Sequence, residues 1–309
     1  MKNLHPLYLI FFFIFTSCNG SKQQSVETVN KPVSFTAENE VILADSTVNS
    51  YSWLEEGNYS IQNAIRNQIA PPDGYQRKAG KPGNFADWLS FLPLKAKGNP
   101  VLLFNGQEKS NQYAHFRIID MDVGNRDLQQ CADATMRLRA EYLYAVKKFD
   151  DIHFNFTNGD LADFKTWRSG KKISISQNRL KWVSSTSSNT SYKSFKNYMQ
   201  YIFMYAGTAS LSQELKSKPF DQINSGDILI KGGFPGHAVI IVDMAFHQSS
   251  GDKVFLLAQS YMPAQEMHIL KNPNSSSLNP WYSMQDLARS GTVRTPEWTF
   301  KTSDLKSWE

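Results

Sequence analysis

The sequence predicts an α+β domain in which helices come first and a β-rich half follows. The longest segment with apolar residues at helical spacing lies mid-chain, over 127–149. Several β-rich segments then follow one another closely towards the C-terminus. This order favours a central helix packed on a C-terminal antiparallel sheet over repeated βαβ units.

The segments before the central helix predict two short helices and a hairpin. Helices are expected over 60–69 and 84–91, because prolines at positions 71, 72 and 93 stop them. The segments 101–104 and 113–119 are apolar and rich in β-formers, with a polar turn at Gly106 between them. We therefore expect these two segments to pair as a hairpin.

The central helix is predicted to begin near Asp127, a good N-cap residue, and to carry Cys131 in its first turn. Lys147 and Lys148 would lie in its last turn, where cations complement the helix dipole. Its apolar face is formed at helical spacing by Leu128, Cys131, Thr135, Leu138, Tyr142, Val146 and Phe149.

The remaining elements alternate short apolar runs with turn residues. We expect one helix with an aromatic face over 195–205. The predicted strands cover 152–156, 172–175, 180–183, 228–230, 237–244, 253–260 and 267–270. A glycine-rich segment, 232–236, directly precedes the strand that begins with His237.

The N-terminal residues have the layout of a secretory signal: Lys2, the apolar run 7–15, the small pair 16–17 and then Cys18. The motif 15–18 resembles the lipobox of bacterial lipoproteins, which implies a lipid on Cys18. Residues 1–17 would be the signal peptide and 18–50 a polar, flexible tether. An ordinary secreted protein cleaved elsewhere is the alternative.

Residues 51–309 are long enough for one α+β domain. The formal net charge is +5, and removal of a signal containing Lys2 leaves +4. This small, scattered surplus suits an anionic envelope polymer but argues against nucleic acid as a partner. We expect the protein to be lipid-anchored in the envelope of a Gram-negative bacterium, in the inner or outer membrane, facing the periplasm or the surface.

Cys131 is the only cysteine left once Cys18 carries lipid. Free thiols are unusual in exported proteins, so this one is a candidate nucleophile. A helix start favours a thiolate, although Asp127 and Asp133 oppose that effect. Cys131 also lies on the apolar helix face, so a packed, inert cysteine is the competing interpretation.

His237 is the candidate general base, because it begins a strand directly after the flexible glycines. Pairing across the turn near Gly251 places it opposite residues 259–262, where Gln259 and Ser260 are the polar candidates. Gln259 can orient the imidazole through its amide oxygen. Asp243 is too far along the strand, at about 20 Å for six residues.

The other histidines are weaker candidates. His115 and His153 lie within predicted strands, whereas His268 is kept in reserve because it can approach the same site. A metal-dependent hydrolase would require His237 and His268 to converge. Neither an HExxH motif nor clustered CxxC pairs occur, so we expect no metal and no cofactor.

Five phrases resemble an uncharacterised bacterial lipoprotein family, known as domain of unknown function 4846. The resemblance covers nearly all of the mature chain and implies an envelope lipoprotein without defining an activity. The phrases are DLQQCAD (127–133), RLRAEY (137–142), GGFPGHA (232–238), LAQSYMPAQ (257–265) and TPEW (295–298).

More distantly, the order of parts is similar to papain-like peptidases such as the NlpC and CHAP groups. In these, a cysteine at a helix start precedes a β-rich half with a Gly–His at a strand start and a polar residue on the next strand. The resemblance implies a papain-like fold and Cys131, His237 and Gln259 as the catalytic residues.

The predicted function is therefore a cysteine peptidase or amidase acting on amide bonds of peptidoglycan stem peptides. The backbone N–H of Cys131, with the side chain of Gln129 or Gln130, would stabilise the oxyanion. The rival hypothesis is a non-catalytic binding or scaffold lipoprotein of the same fold, with Cys131 packed in the core.

Overall fold

A large antiparallel sheet forms the centre of the computed structural model, which describes residues 51–55, 57–78, 81–185 and 187–308. The predicted signal peptide and tether, including Cys18, lie outside the described residues. The strands are β1 (Tyr75–Gln76), β2 (His115–Ile118), β3 (His153–Asn155), β4 (Leu161–Asp163), β5 (Lys171–Ser176), β6 (Arg179–Ser184), β7 (Lys216–Ser217), β8 (Ile228–Lys231), β9 (His237–His247), β10 (Lys253–Gln259), β11 (His268–Leu270), β12 (Tyr282–Ser283), β13 (Thr292–Arg294), β14 (Thr299–Lys301) and β15 (Leu305–Ser307).

Seven α-helices accompany these strands in the described part of the chain. They are α1 (Ile65–Gln68), α2 (Phe85–Ser90), α3 (Cys131–Ala145), α4 (Phe164–Arg168), α5 (Tyr192–Tyr205), α6 (Thr208–Glu214) and α7 (Met284–Ser290). The predicted α+β class is therefore confirmed.

The large sheet has the strand order β2-β11-β10-β9-β8-β15-β7, and β1 and β12 pair with β9 and β10 respectively. All of these pairs are antiparallel. Three separate hairpins, β3–β4, β5–β6 and β13–β14, lie outside it. The sheet thus brings β9 and β10, which carry His237 and Gln259, to its middle.

Both faces of the sheet are covered, which explains why β9 is apolar at nearly every position. Ala238, Ile240 and Val242 belong to one buried cluster, together with residues of α3. Val239 and Ile241 belong to a second cluster, which includes residues of α7 and β14. Burial of these alternating side chains stabilises the fold by roughly 1.5–3 kcal/mol for each large aliphatic residue.

The central helix is shorter than predicted and begins at Cys131. The backbone N–H of Gln130 donates to the Asp133 carboxylate (3.0 Å), so Gln130 is the N-cap residue. The Asp127 carboxylate instead accepts from the backbone N–H of Ala264 (2.7 Å). The helix ends at Ala145, and Lys147 has a left-handed φ of 58° that prevents its continuation.

Two other local predictions are wrong. The segment 101–104 does not pair with β2, because its backbone bonds instead to residues near Ala264: the N–H of Phe104 donates to the Ala264 carbonyl (2.9 Å). The helix predicted over 60–69 is interrupted at Ala64, whose backbone is extended and forms a bridge with Pro93. Helices α4, α6 and α7 and strands β1, β4, β7 and β12 to β15 were not predicted.

Candidate active site

Cys131 is the first residue of α3, which packs on β9. Its side chain is partly exposed, and it is a free thiol. Burial and the negative charge of Asp133 raise the pKa of Cys131 to about 11, although the nearby backbone N–H groups of Ala132 and Ala238 lower it. The thiol is therefore protonated at neutral pH, despite its position at a helix start.

His237 is the first residue of β9 and is almost fully buried, at 2% exposure. The tight loop before it requires glycine, because a Cβ on Gly236 would collide with the Thr208 hydroxyl and the Gly233 carbonyl. This close packing fixes the point at which the strand begins. The glycines thus position His237 rather than leaving it on a flexible approach.

Three aromatic rings surround the imidazole of His237. Their centroids lie 4.7 Å (Tyr261), 5.3 Å (Trp298) and 5.8 Å (Phe300) from that of the histidine ring. Burial lowers the pKa of His237 to about 4, and this effect outweighs the hydrogen bond to Gln259. The imidazole is therefore neutral at neutral pH, as a general base must be.

Gln259, the last residue of β10, is fully buried, and its Oε1 lies 2.8 Å from Nε2 of His237. The last registered pair between β9 and β10 is Ile240 with Ala258. Gln259 therefore lies diagonally across from His237 rather than directly opposite. The sequence-predicted base and orienting residue are thus in direct contact.

Among the described residues, no hydrogen bond joins the Cys131 thiol to the ring of His237 or to the amide of Gln259. Its sulfur is next to the backbone N–H of Ala238, the residue that follows His237. Tyr261 borders both groups, because its ring contacts His237 and its phenol is electrostatically coupled to Cys131. The structure thus joins His237 to Gln259 directly, whereas Cys131 is linked to His237 only through the Ala238 backbone and Tyr261.

The two oxyanion candidates differ in their surroundings. Gln129 is 1% exposed, and its Oε1 accepts from the guanidinium of Arg137 (2.5 Å), so its side chain belongs to a buried charged cluster. Gln130 is partly exposed, and its Nε2 donates to Asp127 (3.0 Å). Of the two, Gln130 is the one with access to solvent. Ser260, the alternative polar candidate, donates to the backbone carbonyl of Gln265 (2.8 Å).

His268 lies on the far side of Gln259 from His237. Its Nδ1 is 2.9 Å from the Glu266 carbonyl, and its Nε2 is 3.5 Å from the Gln259 nitrogen. The two histidines thus contact opposite ends of one amide rather than converging on a point. Among residues 51–308 that the structure describes, no group of three His, Cys, Asp or Glu side chains is arranged to hold a metal ion.

Two site residues were missed by sequence reasoning. Glu297 accepts a hydrogen bond from Nε2 of Gln259 (2.7 Å) and pairs with the buried Lys109 (2.6 Å). Glu297 lies within the phrase TPEW (295–298), which was noted only as a family motif. The sequence did not show that Glu297 contacts Gln259, because 38 residues separate the two.

The family model for domain of unknown function (4846) matches residues 65–307, and the chain belongs to this family. Comparisons with curated proteins and with solved structures find no significant match. Within the part of the chain that the structure describes, no helix has the length and apolar character needed to cross a bilayer.

Proposed function

We propose that this protein is a cysteine hydrolase of papain-like type, in which Cys131 is the nucleophile, His237 the general base and Gln259 the orienting group. The observation that carries the proposal is the buried hydrogen bond between His237 Nε2 and Gln259 Oε1. It leaves the other ring nitrogen, Nδ1, to act on a thiol. The start of α3 supplies that thiol beside the same strand.

The reaction begins with a neutral thiol and a neutral imidazole. As Sγ of Cys131 bonds to the substrate carbonyl carbon, its proton passes to Nδ1 of His237 and the carbonyl oxygen becomes an oxyanion. Collapse of this intermediate breaks the C–N bond, and the Nδ1 proton moves to the departing amine. His237 then takes a proton from the water that attacks the thioester. Collapse of the second intermediate breaks the C–S bond, and the imidazolium returns its proton to the departing sulfur, which releases the acid and regenerates the thiol.

Substrate binding has to bring the thiol within hydrogen-bonding reach of Nδ1. Catalytic hydrogen bonds are often longer without substrate than in the reacting complex. The oxyanion would be stabilised by the backbone N–H of Cys131 at the helix start and by the side chain of Gln130. The involvement of Gln129 in the Arg137 cluster favours Gln130 for this role.

We further propose that the substrate is an amide bond in a peptidoglycan stem peptide, and that lipid on Cys18 holds the enzyme in the bacterial envelope. Support comes from the signal-like pattern at residues 2–18 and from the order of site residues, which is similar to that of cell-wall peptidases. The net positive charge suits an anionic polymer.

A second candidate function is binding without catalysis, as an envelope scaffold. Two observations favour it: the raised pKa of Cys131 and the enclosure of His237 by aromatic rings. A protonated thiol with a raised pKa is typical of a structural cysteine.

Digestion of purified stem peptides distinguishes the two candidates. The wild-type protein is expected to release new amine and carboxyl ends, detected by mass spectrometry, whereas Cys131→Ala is expected to release none. Equal release by both proteins would exclude Cys131 as the nucleophile. Binding of the peptides by both proteins without cleavage would favour the scaffold.

A further inference from the structure

The side-chain nitrogen of Gln259 is surrounded by hydrogen-bond acceptors. Oε2 of Glu297 lies 2.7 Å from it, and Nε2 of His268 lies 3.5 Å from it on another side. A primary amide nitrogen carries two hydrogens and no acceptor site. Both hydrogens of Gln259 are therefore directed at groups outside the catalytic residues.

Glu297 acts only as an acceptor. Its carboxylate pairs with Nζ of Lys109 (2.6 Å), which is itself buried, and its second oxygen accepts from Nδ2 of Asn111 (3.1 Å). An ionised carboxylate has no hydrogen to donate. The atom of Gln259 that faces Glu297 must therefore be the nitrogen.

The hydrogen bonds of His268 independently show which atom of the Gln259 amide is the nitrogen. A backbone carbonyl can only accept, so the 2.9 Å contact with the Glu266 carbonyl places the hydrogen on Nδ1 of His268. Burial keeps this ring neutral, since it lowers the pKa of His268 to about 3. Nε2 of His268 is then a lone pair, which also requires the nitrogen of Gln259.

With its nitrogen fixed, Gln259 has only its oxygen to offer to His237. That oxygen, 2.8 Å from Nε2 of His237, requires a hydrogen on Nε2. A neutral imidazole has a single N–H, so Nδ1 is left with a lone pair. The tautomer of His237 thus follows from the contacts that Gln259 makes with Glu297 and His268.

We propose that Glu297 is a positioning residue, which, with support from His268, fixes the amide of Gln259 and so holds His237 in the tautomer whose Nδ1 can accept the thiol proton of Cys131. The identity of this proton donor rests on the proposed function; the control of the tautomer does not. When the thiol proton reaches Nδ1, Nε2 keeps its hydrogen on Gln259, and the carboxylate of Glu297 stabilises the new imidazolium charge through the same amide.

Two variants separate this role from general stability. Glu297→Met removes the acceptor from Gln259, whereas Lys109→Met breaks the same ion pair but leaves the acceptor in place. Both variants leave one member of a buried ion pair without its partner, so their melting temperatures are expected to fall by similar amounts. Only Glu297→Met is expected to change the tautomer.

The tautomer of His237 is read directly from the ¹⁵N shifts and long-range ¹H–¹⁵N couplings of histidine-labelled full-length protein at pH 7, without substrate. The wild type and Lys109→Met are expected to carry the hydrogen on Nε2 alone. Glu297→Met is expected to show the Nδ1–H form in at least about a tenth of the molecules, corresponding to a change of about 1.4 kcal/mol or more if less than 1% of the wild type has this form. A folded Glu297→Met that keeps only Nε2–H would overturn the proposal, as would Nδ1–H in the wild type.

If Glu297→Met does not fold, Glu297→Leu serves in its place, because it also removes the acceptor from Gln259. The same mixture of tautomers supports the proposal, and pure Nε2–H contradicts it. On stem peptides, loss of the tautomer is expected to lower kcat about 10- to 100-fold with little change in KM, and Glu297→Asp to restore part of it. Because the tautomer is measured without substrate, failure of the proposed hydrolase activity is distinguishable from failure of this inference.

Discussion

Nε2 of His237 and Oε1 of Gln259 lie 2.8 Å apart in a fully buried contact between β9 and β10. Burial makes this hydrogen bond strong and leaves the imidazole little freedom to rotate. Because Nε2 faces Gln259, the other ring nitrogen of His237, Nδ1, is not engaged by this contact. The proposed roles of His237 and Gln259 both depend on this hydrogen bond.

Replacement of Gln259 tests that relationship. Gln259→Ala removes the acceptor for His237 Nε2 and leaves the Glu297 carboxylate with one partner fewer. We expect kcat on stem peptides to fall by about 10²-fold, because the imidazole loses its tautomer and orientation. Gln259→Glu keeps an acceptor but places a second carboxylate beside Glu297, so it is expected to be less stable than Gln259→Asn. Activity equal to the wild type in Gln259→Ala would contradict the role assigned to this residue.

The pH dependence of kcat/KM follows from the two shifted pKa values. Proton transfer from a thiol to an imidazole requires the neutral forms of both groups. The imidazole of His237 is neutral above its pKa of about 4, and the thiol of Cys131 is protonated below its pKa of about 11. We expect a broad plateau between these limits when initial rates are measured from pH 4 to 11. A narrow maximum with a limb near pH 8.5 would indicate an ordinary thiol instead.

Replacement of Asp133 tests what raises the pKa of the Cys131 thiol. Its carboxylate is the second cause, after burial, of the raised pKa of Cys131. Asp133→Asn removes the negative charge, so the pKa of Cys131 is expected to fall. The alkylation rate of the folded protein, measured against pH, reports this value. Asp127→Asn is the matched control, since Asp127 bonds to Ala264 and Gln130 instead, and its profile is expected to match the wild type.

A buried ion pair away from the site supports the sheet. Asp243 of β9 accepts from Nε of Arg77 (2.8 Å) and pairs with its Nη2 (2.7 Å), and burial raises the pKa of this carboxyl despite the opposing effect of Arg77. Arg77→Met leaves the carboxylate uncompensated and is expected to cost about 3–5 kcal/mol in the free energy of unfolding at pH 7.

The raised pKa of Asp243 also fixes the direction in which its contribution to stability changes with pH. The raised folded pKa means that Asp243 binds a proton more readily in the folded than in the unfolded state, so its contribution to stability falls as pH rises. Without Arg77 this pKa rises further. The loss caused by Arg77→Met, measured by urea unfolding, should therefore be smaller at pH 4 than at pH 7. An equal loss at both values would show that the charge of Asp243 is not its cause.

The sequence was most informative where burial and local periodicity coincide. Strands β9 and β10 are long apolar runs, so their positions and the approximate pairing of His237 with Gln259 could be predicted. The exact register could not, because the pairing shifts between Leu256 and Leu257. The helix start was misplaced for a similar reason: Asp127 is a good cap by type, but Ala264 takes its carboxylate through a contact across 137 residues.

Local sequence patterns could not predict the ion pair between Lys109 and Glu297 that lies beside Gln259. Lys109 and Glu297 are 188 residues apart and meet only because the loop before β2 and the β13–β14 hairpin approach the same end of the sheet. Likewise, the position of Cys131 at a helix start suggested a thiol with a lowered pKa. The pKa is raised instead, because the fold removes much of the side chain from solvent. Burial and long-range pairing thus decide the chemistry that sequence spacing can only suggest.

His237 is proposed to serve as the base for Cys131, and the rate of Cys131 alkylation by iodoacetamide tests this role without any substrate. The rate is measured on the folded protein at pH 7 for the wild type and His237→Ala, with Cys131→Ala as the blank and thermal melting as the check on folding. The wild type is expected to react at least about tenfold faster than His237→Ala, because only the wild type has an imidazole to take the thiol proton. Equal rates in two folded proteins, or no reaction before denaturation, would contradict it and leave Cys131 as a structural residue.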